Sequence, residues 1–178
     1  MSGTEILELL QRTGAILEGH YVAENGLHSP RRLRIVKALQ FAPFNRKLCH
    51  EIVRHYLELD IHVVMALSIA SIPMAVEIGR QLEARTIFTR ESDGEVSLYD
   101  GFELHDGERV IIAQGILRND AELDGATRLI RRANARLVGI GSIIDARTHR
   151  RKFTIKDVAA IQIPTEEYGA DECPQCKV

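Results

Sequence analysis

The sequence predicts an α/β fold with a doubly wound, mostly parallel sheet flanked by helices. Short apolar runs at 61–65 and 110–113 have the length and composition of strands that are buried on both faces. Stretches of helical period follow such runs, and strands that alternate with helices form parallel sheets. The chain has 178 residues, of which 45% are hydrophobic. This length and this composition are sufficient for one buried hydrophobic core.

The individual elements follow in chain order. A capping box at 2–5 starts a first helix, whose apolar positions include Ile6, Leu9, Leu10 and Leu17. An Asn25-Gly26 pair between two strand-like segments then predicts a hairpin. The remaining elements are a helix near 43–58, a strand at 61–65, a helix at 71–83, strands at 85–89 and 109–113, a helix at 120–135 and a strand at 137–144.

Several segments resemble the orotate phosphoribosyltransferases, which are type I phosphoribosyltransferases. The resemblance covers nearly the whole chain and is carried by 13–21, 26–29, 72–75, 101–102, 107–110, 163–164 and 172–176. It implies one domain of residues 1–178, with a core near 43–150 and a small hood formed by 1–42 and 151–178. It also implies a homodimer, because active sites in the family borrow a mobile loop from the neighbouring subunit. Active members make orotidine 5′-phosphate and pyrophosphate from orotate and phosphoribosyl pyrophosphate (PRPP).

The strand-to-helix turn that binds PRPP in active members has a different composition here. In those members two acidic residues hold the ribose hydroxyls, and a Thr-Thr-Gly segment wraps the 5′-phosphate with backbone N–H groups. Gln114 and Gly115 align with the acids, and 118–121 aligns with the small segment. We expect Asp120 to cap the following helix and, with Glu122, to occupy the place of the phosphate. Arg118 and Asn119 remain candidate ligand contacts in this turn.

Two further elements of the PRPP site also depart from the family pattern. The segment 66–71 replaces a Gly-containing turn that approaches the pyrophosphate, although Ser68 and Ser71 could still donate hydrogen bonds. The mobile loop, at 89–100, is acidic where family members have Lys and Arg, and Arg90 is its only nearby cation. Because the reaction depends on stabilising departing negative charge, these changes predict a loss of transfer.

The pyrimidine end of the site is closer to the family pattern. The segment 25–29 resembles the loop that contacts the pyrimidine, which makes Asn25, His28 and Ser29 candidate ligand contacts. The same residues also satisfy the requirements of an ordinary hairpin. A second family contact is an Arg that follows a core strand and an Asp. Here the nearest candidate is Arg147, which lies one position late.

Charge and cysteine content limit the remaining functions. A net charge of -2 argues against a general polyanion binder, but basic groups within 31–37, 128–136 and 149–152 keep nucleic acid as an alternative partner. Three cysteines, the absence of a long apolar run and the absence of a signal pattern predict a cytoplasmic protein without a membrane segment. Cys173 and Cys176 would supply two of the four ligands that a structural zinc site needs. The sequence shows no second pair of ligands, so no metal is expected.

Three functions therefore remain. The favoured hypothesis is an orotate phosphoribosyltransferase-like protein that has lost PRPP-dependent transfer and serves as a ligand-binding, regulatory or interaction protein. Its ligand would be a pyrimidine or nucleotide, it would need no cofactor, and no residue is assigned a catalytic role. The first alternative is an active enzyme of pyrimidine biosynthesis with atypical PRPP contacts, which would use Mg²⁺. The second alternative is a nucleic-acid-binding module.

Overall fold

The computed structural model describes residues 1–23, 25–92 and 94–177. Glu24 and Val178 of the predicted hood and Asp93 of the predicted acidic loop lie outside this described part. The elements in chain order are α1 (Gly3–Arg12), β1 (Ile16–Val22), β2 (His28–Leu33), α2 (Val36–Leu39), α3 (Ala42–Val53), β3 (Val63–Ala66), α4 (Ile72–Leu82), β4 (Arg85–Ser92), β5 (Glu95–Leu98), β6 (Arg109–Leu117), α5 (Glu122–Arg132), β7 (Arg136–Asp145) and β8 (Lys156–Gln162). Short 3₁₀ turns lie at Ile69–Ser71 and Pro174–Cys176.

A six-stranded central sheet organises the molecule, with the strand order β5-β4-β3-β6-β7-β8. Its strands are parallel except for the antiparallel pair β4–β5. Helices α1, α3 and α4 contribute to the apolar core on one face, and α5 contributes to a second core on the other face. The predicted doubly wound α/β fold is therefore confirmed.

The strand order creates a crevice at the centre of the sheet. From β3 the chain proceeds outward to β4 and β5, and it then returns to β6, which pairs with the other side of β3. The carboxyl ends of β3 and β6 thus lie next to each other where the winding reverses direction. In open α/β sheets this reversal point is where ligands usually bind.

Several predicted boundaries were wrong, for identifiable reasons. Leu17 lies in β1 and not in the first helix, because the chain leaves α1 at Gly14, whose φ of +70° favours glycine. Strand β6 continues beyond residue 113 to Leu117, since its ladder with β7 extends to the pair Leu117–Asp145. Part of the predicted acidic loop is a hairpin, in which β4 continues to Ser92 and pairs with β5.

The predicted hood also becomes smaller. Strand β8 lies within the segment 151–178, but it pairs in parallel with β7 and so belongs to the central sheet. Tyr56 fixes this edge, because its buried hydroxyl donates to the carbonyls of Ile140 (2.7 Å) and Lys156 (3.1 Å). Helix α1 likewise packs into the main core through its buried apolar residues.

What remains of the hood is the β1–β2 hairpin and the tail that follows β8. The hairpin and the tail are joined by an isolated antiparallel bridge between His28 and Tyr168. Both backbone hydrogen bonds of this bridge are short, at 2.8 and 2.9 Å. Arg31 adds a longer contact, in which Nη1 donates to the carbonyl of Pro164 at 3.4 Å. Within the described part of the chain, we find no helix long and apolar enough to cross a membrane.

Candidate functional site

The crevice at the carboxyl ends of β3 and β6 holds a closed network of polar groups. Ser71 Oγ accepts a hydrogen bond from the backbone N–H of Gly115 (2.8 Å) and donates to Oε1 of Gln114 (2.7 Å). Ser68 Oγ lies 2.8 Å from Ser71 Oγ and 3.2 Å from the same Gln114 oxygen. Ser71 is 1% exposed and Gln114 is 9% exposed. The two candidate serines are thus engaged by their neighbours.

The network continues into the turn that leads to α5. Gln114 Nε2 donates to Glu122 Oε2 at 3.0 Å, while Glu122 Oε1 accepts from the backbone N–H of Arg118 at 3.1 Å. The backbone N–H of Glu122 in turn donates to Oδ1 of Asn119 at 3.2 Å. As predicted, a carboxylate binds a backbone donor of this turn.

A side chain at position 115 would not fit the observed packing. A Cβ built on Gly115 would lie 2.7 Å from Cγ2 of Ile35, a buried residue, and 3.6 Å from Oγ of Ser71. Contacts as short as 2.7 Å require a neighbour to shift. The position that aligns with an acidic residue in active members of the family is therefore closed by an isoleucine.

Asp120 is not the helix cap that we predicted. Its two carboxylate oxygens accept instead from Nη1 of Arg147 (2.7 Å) and from the backbone N–H of Arg151 (2.6 Å). Burial opposes ionisation of Asp120, but these hydrogen bonds and the positive charge outweigh it and lower its pKa. The buried guanidinium of Arg147 is a stronger partner than the helix terminus.

Arg147 lies in the interior and does not face a ligand cleft. Its side chain is fully buried and forms ion pairs with Asp145, Asp120 and Asp157, all at 2.7–2.8 Å. Burial alone would lower the pKa of Arg147, but the three carboxylates raise it overall. The expectation that Arg147 contacts a pyrimidine is therefore not supported by its position, because three carboxylates already occupy its donors.

An open cleft lies between the hood and the carboxyl edge of the sheet. It has a volume of about 610 Å³ and continues into a second depression of about 500 Å³. Four of the predicted contacts line these spaces: Asn25, Ser29, Arg118 and Asn119. Of their side chains, Asn25 Oδ1 accepts from the N–H of Leu27 and Ser29 Oγ accepts from the N–H of Arg31, so both also stabilise the hairpin.

The cleft carries positive charge close to its walls. Arg31, Arg32 and Arg118 line it, and Arg32 and Arg118 are exposed. Glu166 and Glu167 also line the cleft. Arg31 is paired with Glu18 at 2.8 Å, whereas among the described residues the ion pair of Arg118 is a long contact of 3.7 Å to Glu167. The cleft can therefore offer guanidinium groups to an anion.

Comparison with known proteins shows what this chain is similar to. No family model matches it. An orotate phosphoribosyltransferase of Chlorobium phaeobacteroides is 29% identical over 177 residues, which cover 99% of this chain and 92% of the relative. A protein of the same name from Desulforamulus reducens is 26% identical over 176 residues, again 99% of this chain and 92% of the relative.

Over nearly its whole length, the chain is similar in sequence to orotate phosphoribosyltransferases.

Solved structures show the same fold at lower sequence identity. The orotate phosphoribosyltransferase of Aeropyrum pernix superposes with a TM-score of 0.71 at 13% identity, over 89% of this chain and 93% of that chain. The UMP synthase of Leishmania donovani has a TM-score of 0.75 at 17% identity over 92% of this chain, which spans only 37% of that larger protein. The resemblance to the orotate phosphoribosyltransferases that the sequence indicates is confirmed. The type I phosphoribosyltransferase fold is confirmed as well.

In this chain the segment that aligns with the mobile loop lies against α5. Val96 of β5 occupies the space beside Gly125, where a Cβ would lie 2.5 Å from Val96 Cγ2. The predicted acidic positions Glu91, Glu95 and Asp100 are exposed. Arg90 is exposed as well and donates to Oγ of Ser97 at 3.3 Å, so the structure places it away from the hood cleft.

The basic groups that kept nucleic acid as an alternative have different environments. Arg31 of the first group and two members of the third group, Arg150 and Arg151, form ion pairs with carboxylates. On α5, Arg128, Arg131 and Arg132 are exposed. Nucleic-acid binding stays a prediction that concerns mainly this helix.

One group of polar side chains was missed by the sequence analysis. His28, a predicted ligand contact, does not line the cleft but meets His20, Cys173 and Cys176 in the hood. The argument that no second pair of ligands exists was therefore wrong, since the hairpin supplies two histidines. The sequence did contain an indication of this group: His20 and His28 are eight positions apart, one in each strand beside the Asn25-Gly26 turn.

Proposed function

We propose that this relative of the orotate phosphoribosyltransferases no longer transfers phosphoribose and that it binds a small anion, such as a pyrimidine nucleotide, in the cleft under the hood. One observation carries the proposal. The polar groups at the carboxyl ends of β3 and β6 bind one another, through Ser71, Gln114 and Glu122, where a PRPP site needs groups that face a ligand.

Two requirements of PRPP binding are affected by this network. Ribose hydroxyls need acceptors, but the amide of Gln114 uses both its oxygen and its nitrogen on protein partners. A 5′-phosphate needs free backbone donors, but the N–H of Arg118 is bound by the carboxylate of Glu122, which would also repel a phosphate. Loss of one stabilising donor of this kind commonly costs about 10²–10³-fold in rate.

The open cleft supports the binding half of the proposal. Arg32 and Arg118 present exposed guanidinium groups, and such groups bind phosphate and carboxylate through paired N–H donors. Asn119 and Ser29 add smaller polar groups along the same walls. A bound phosphate would replace the long contact between Arg118 and Glu167, because a charge-assisted hydrogen bond is stronger than an ion pair at 3.7 Å.

An active orotate phosphoribosyltransferase is the second candidate, and the sequence relatives favour it. Proteins of that name match 99% of this chain and carry no large additional region. In this alternative the PRPP contacts are atypical, Mg²⁺ accompanies PRPP, and the network at β3 and β6 opens when the substrate binds.

A single assay separates the two candidates. The chain, at an enzyme concentration about 100-fold above that used for the Chlorobium phaeobacteroides relative, is incubated with orotate, PRPP and Mg²⁺, and loss of orotate is followed. We expect no orotidine 5′-phosphate from this chain, with the relative as positive control. Magnesium-dependent turnover would contradict the loss of transfer and establish the second candidate.

Binding is tested independently by calorimetry with UMP, orotidine 5′-phosphate and inorganic phosphate. We expect binding of at least one nucleotide, weakened about tenfold in Arg118→Ala, which corresponds to about 1.4 kcal/mol. Arg128→Ala on α5 is the matched control and should leave binding unchanged. If none of the three anions binds, or if Arg118→Ala binds as well as the wild type, the cleft is not the binding site.

We also propose a homodimer, which the family resemblance implies. Ile69 and Val76, at 83% and 53% exposure, are large apolar side chains on the surface beside and within α4, where a second copy would cover them. Sedimentation equilibrium at micromolar concentration should give twice the chain mass. A monomer mass under these conditions would refute this part of the proposal.

A further inference from the structure

Four side chains of the hood bring their ligand atoms to one point. His20 lies on β1, His28 on β2, and Cys173 and Cys176 lie in the tail. The imidazole nitrogens and the thiol sulfurs all lie within 4.8 Å of one another. Neither cysteine is in a disulfide. Three separate segments therefore present two nitrogen and two sulfur ligands to a common centre.

The separations are close to those of a tetrahedral metal site, and binding of a metal would require the two nitrogens to move slightly apart. Cys173 Sγ and Cys176 Sγ each lie 3.5 Å from Nε2 of His20, and Cys176 Sγ lies 3.2 Å from Nδ1 of His28. The two nitrogens are 2.9 Å apart. With Zn–S of about 2.3 Å and Zn–N of about 2.0–2.1 Å, tetrahedral geometry places S and N ligands about 3.5 Å apart and two N ligands about 3.3 Å apart.

The local backbone explains how the two thiols reach the same side. The tail makes a 3₁₀ turn at Pro174–Cys176, and the N–H of Cys176 donates to the carbonyl of Cys173 at 3.2 Å. This turn brings two sulfurs that are three positions apart next to each other. The antiparallel pairing of β1 with β2, in register at Tyr21–Ser29 and Val22–His28, brings the two histidines together in the same way.

We propose that His20, His28, Cys173 and Cys176 form a structural Cys₂His₂ zinc site that fastens the tail to the hairpin. Two thiolates with two imidazoles are a ligand set that selects zinc over Mg²⁺ or Ca²⁺, which prefer oxygen. All four positions are protein ligands, so no position is left for a substrate, as in structural zinc sites.

Because the site lies between the hairpin and the tail, a metal bound there would also affect the cleft. The tail contributes Thr165, Glu166, Glu167 and Tyr168 to the cleft wall, and the hairpin contributes Leu27, Ser29 and Arg31. The His28–Tyr168 bridge is the backbone link between these two walls. A metal beside that bridge would hold the walls together. The proposal does not depend on whether the protein transfers phosphoribose.

Metal content provides the first test. The full chain is purified under reducing conditions without a histidine tag, offered one equivalent of ZnCl₂, desalted and analysed by mass spectrometry for metals. We expect about one zinc per chain. Co²⁺ in place of zinc should give the visible bands of tetrahedral cobalt and a near-ultraviolet sulfur-to-cobalt charge-transfer band, which report the geometry and the thiolate ligands.

Variants identify the ligands. Cys176→Ser and His20→Asn change exposed positions, so they test the site even if Cys173→Ser, at a buried position, fails to fold. We expect each to lose at least nine-tenths of the zinc and the cobalt charge-transfer band, or in His20→Asn to alter it. His105→Asn is the matched control, because His105 is exposed outside the cluster, and Cys49 is unchanged in all variants.

Three outcomes would overturn the proposal. One is a wild-type chain that retains less than a tenth of an equivalent of zinc while its cysteines are reduced. The second is full zinc retention in both Cys176→Ser and His20→Asn. Tenfold loss in the control His105→Asn would likewise show that the metal lies elsewhere.

Discussion

The polar groups at the centre of the sheet and those in the hood differ in what they leave free. At the carboxyl ends of β3 and β6, Ser71, Gln114 and Glu122 donate to and accept from one another until the network is closed. In the hood, two imidazoles and two thiols also contact one another, but all four are side chains that can ligate a metal ion at one centre. The first arrangement stabilises the fold without a ligand, and the second is completed by an ion.

Under the proposed function, the usual ligand position of this fold is not the position where this chain binds its ligand. The crevice where the sheet reverses direction comes with the topology, and here a Cβ at position 115 would meet Ile35. The surfaces that face open space lie farther out, between the hairpin and the tail. The following changes test the contrast, in decreasing order of expected effect.

Removing the buried guanidinium near the crevice should have the largest effect. Arg147→Ala leaves Asp145, which is 1% exposed, without its main partner, and breaking a buried ion pair costs about 3–5 kcal/mol. Urea unfolding should show this loss. Arg151→Ala, which breaks the exposed pair with Asp124, is the control and should cost less than about 1 kcal/mol. Equal losses in both variants would show that the buried cluster is not special.

Restoring an acidic side chain at the strand end should be the next most disruptive change. Gly115→Asp places a Cβ 2.7 Å from Ile35 and buries a carboxylate, and overpacking of this kind costs about 1–3 kcal/mol before the charge is considered. Adding Ile35→Ala should recover part of the stability in thermal unfolding. A Gly115→Asp protein as stable as the wild type, with a Tm that rises on adding PRPP and Mg²⁺, would contradict the view that this position is closed.

The serine network predicts that Ser71 contributes more to the free energy of unfolding than Ser68 does. Ser71→Ala leaves the buried N–H of Gly115 without an acceptor, which costs about 1–3 kcal/mol. Ser68→Ala removes a half-buried hydroxyl whose partners keep other hydrogen bonds, so we expect less than about 1 kcal/mol. The two variants differ by one hydroxyl each, and denaturant midpoints at constant m-value give the comparison. The opposite order would place the key acceptor at Ser68.

The smallest effect should appear as a pH dependence. The folded pKa of Asp120 is lowered, so its contribution to stability is present above its usual value of 3.8 and is lost as the pH falls through the lower folded pKa. Asp120→Asn should therefore cost about 1 kcal/mol at pH 6, and the difference from the wild type should shrink below about pH 4. A difference that stays constant from pH 6 to pH 3 would mean that the charge of Asp120 is not involved.

The sheet centre was predictable from the sequence because local composition determines it. The apolar run of β6 and that of β3 are buried on both faces, and such runs have no other stable place in a soluble α/β fold. β8 was missed because it is an edge strand of mixed composition, with Lys156 and Asp157 at its start and only half-buried side chains. Its position is decided by pairing with β7, which local sequence does not encode.

The errors at the site have the same origin. An arginine two positions after Asp145 is compatible both with a ligand contact and with a buried ion pair, and its contacts with Asp120 and Asp157, which lie elsewhere in the sequence, make it a buried ion pair. In the sequence, the two histidines of the hood cluster precede the six-stranded sheet and its two cysteines follow the sheet. Spacing rules for metal ligands that are close in sequence could therefore not find the cluster. Ser68 and Ser71 were predicted as ligand contacts and Gln114 as the replacement of a family acid, and folding made the three side chains neighbours of each other.

The contact between the hairpin and the tail affects the order in which the parts of this chain fold. Cys176 and His28 are 148 positions apart, so their contact closes a loop that contains the whole parallel sheet. Closure of so long a loop carries a large entropic penalty until the intervening sheet has condensed. The cleft walls should therefore assemble last, and a nascent chain should have a complete hydrophobic core before it can capture either a metal or an anion.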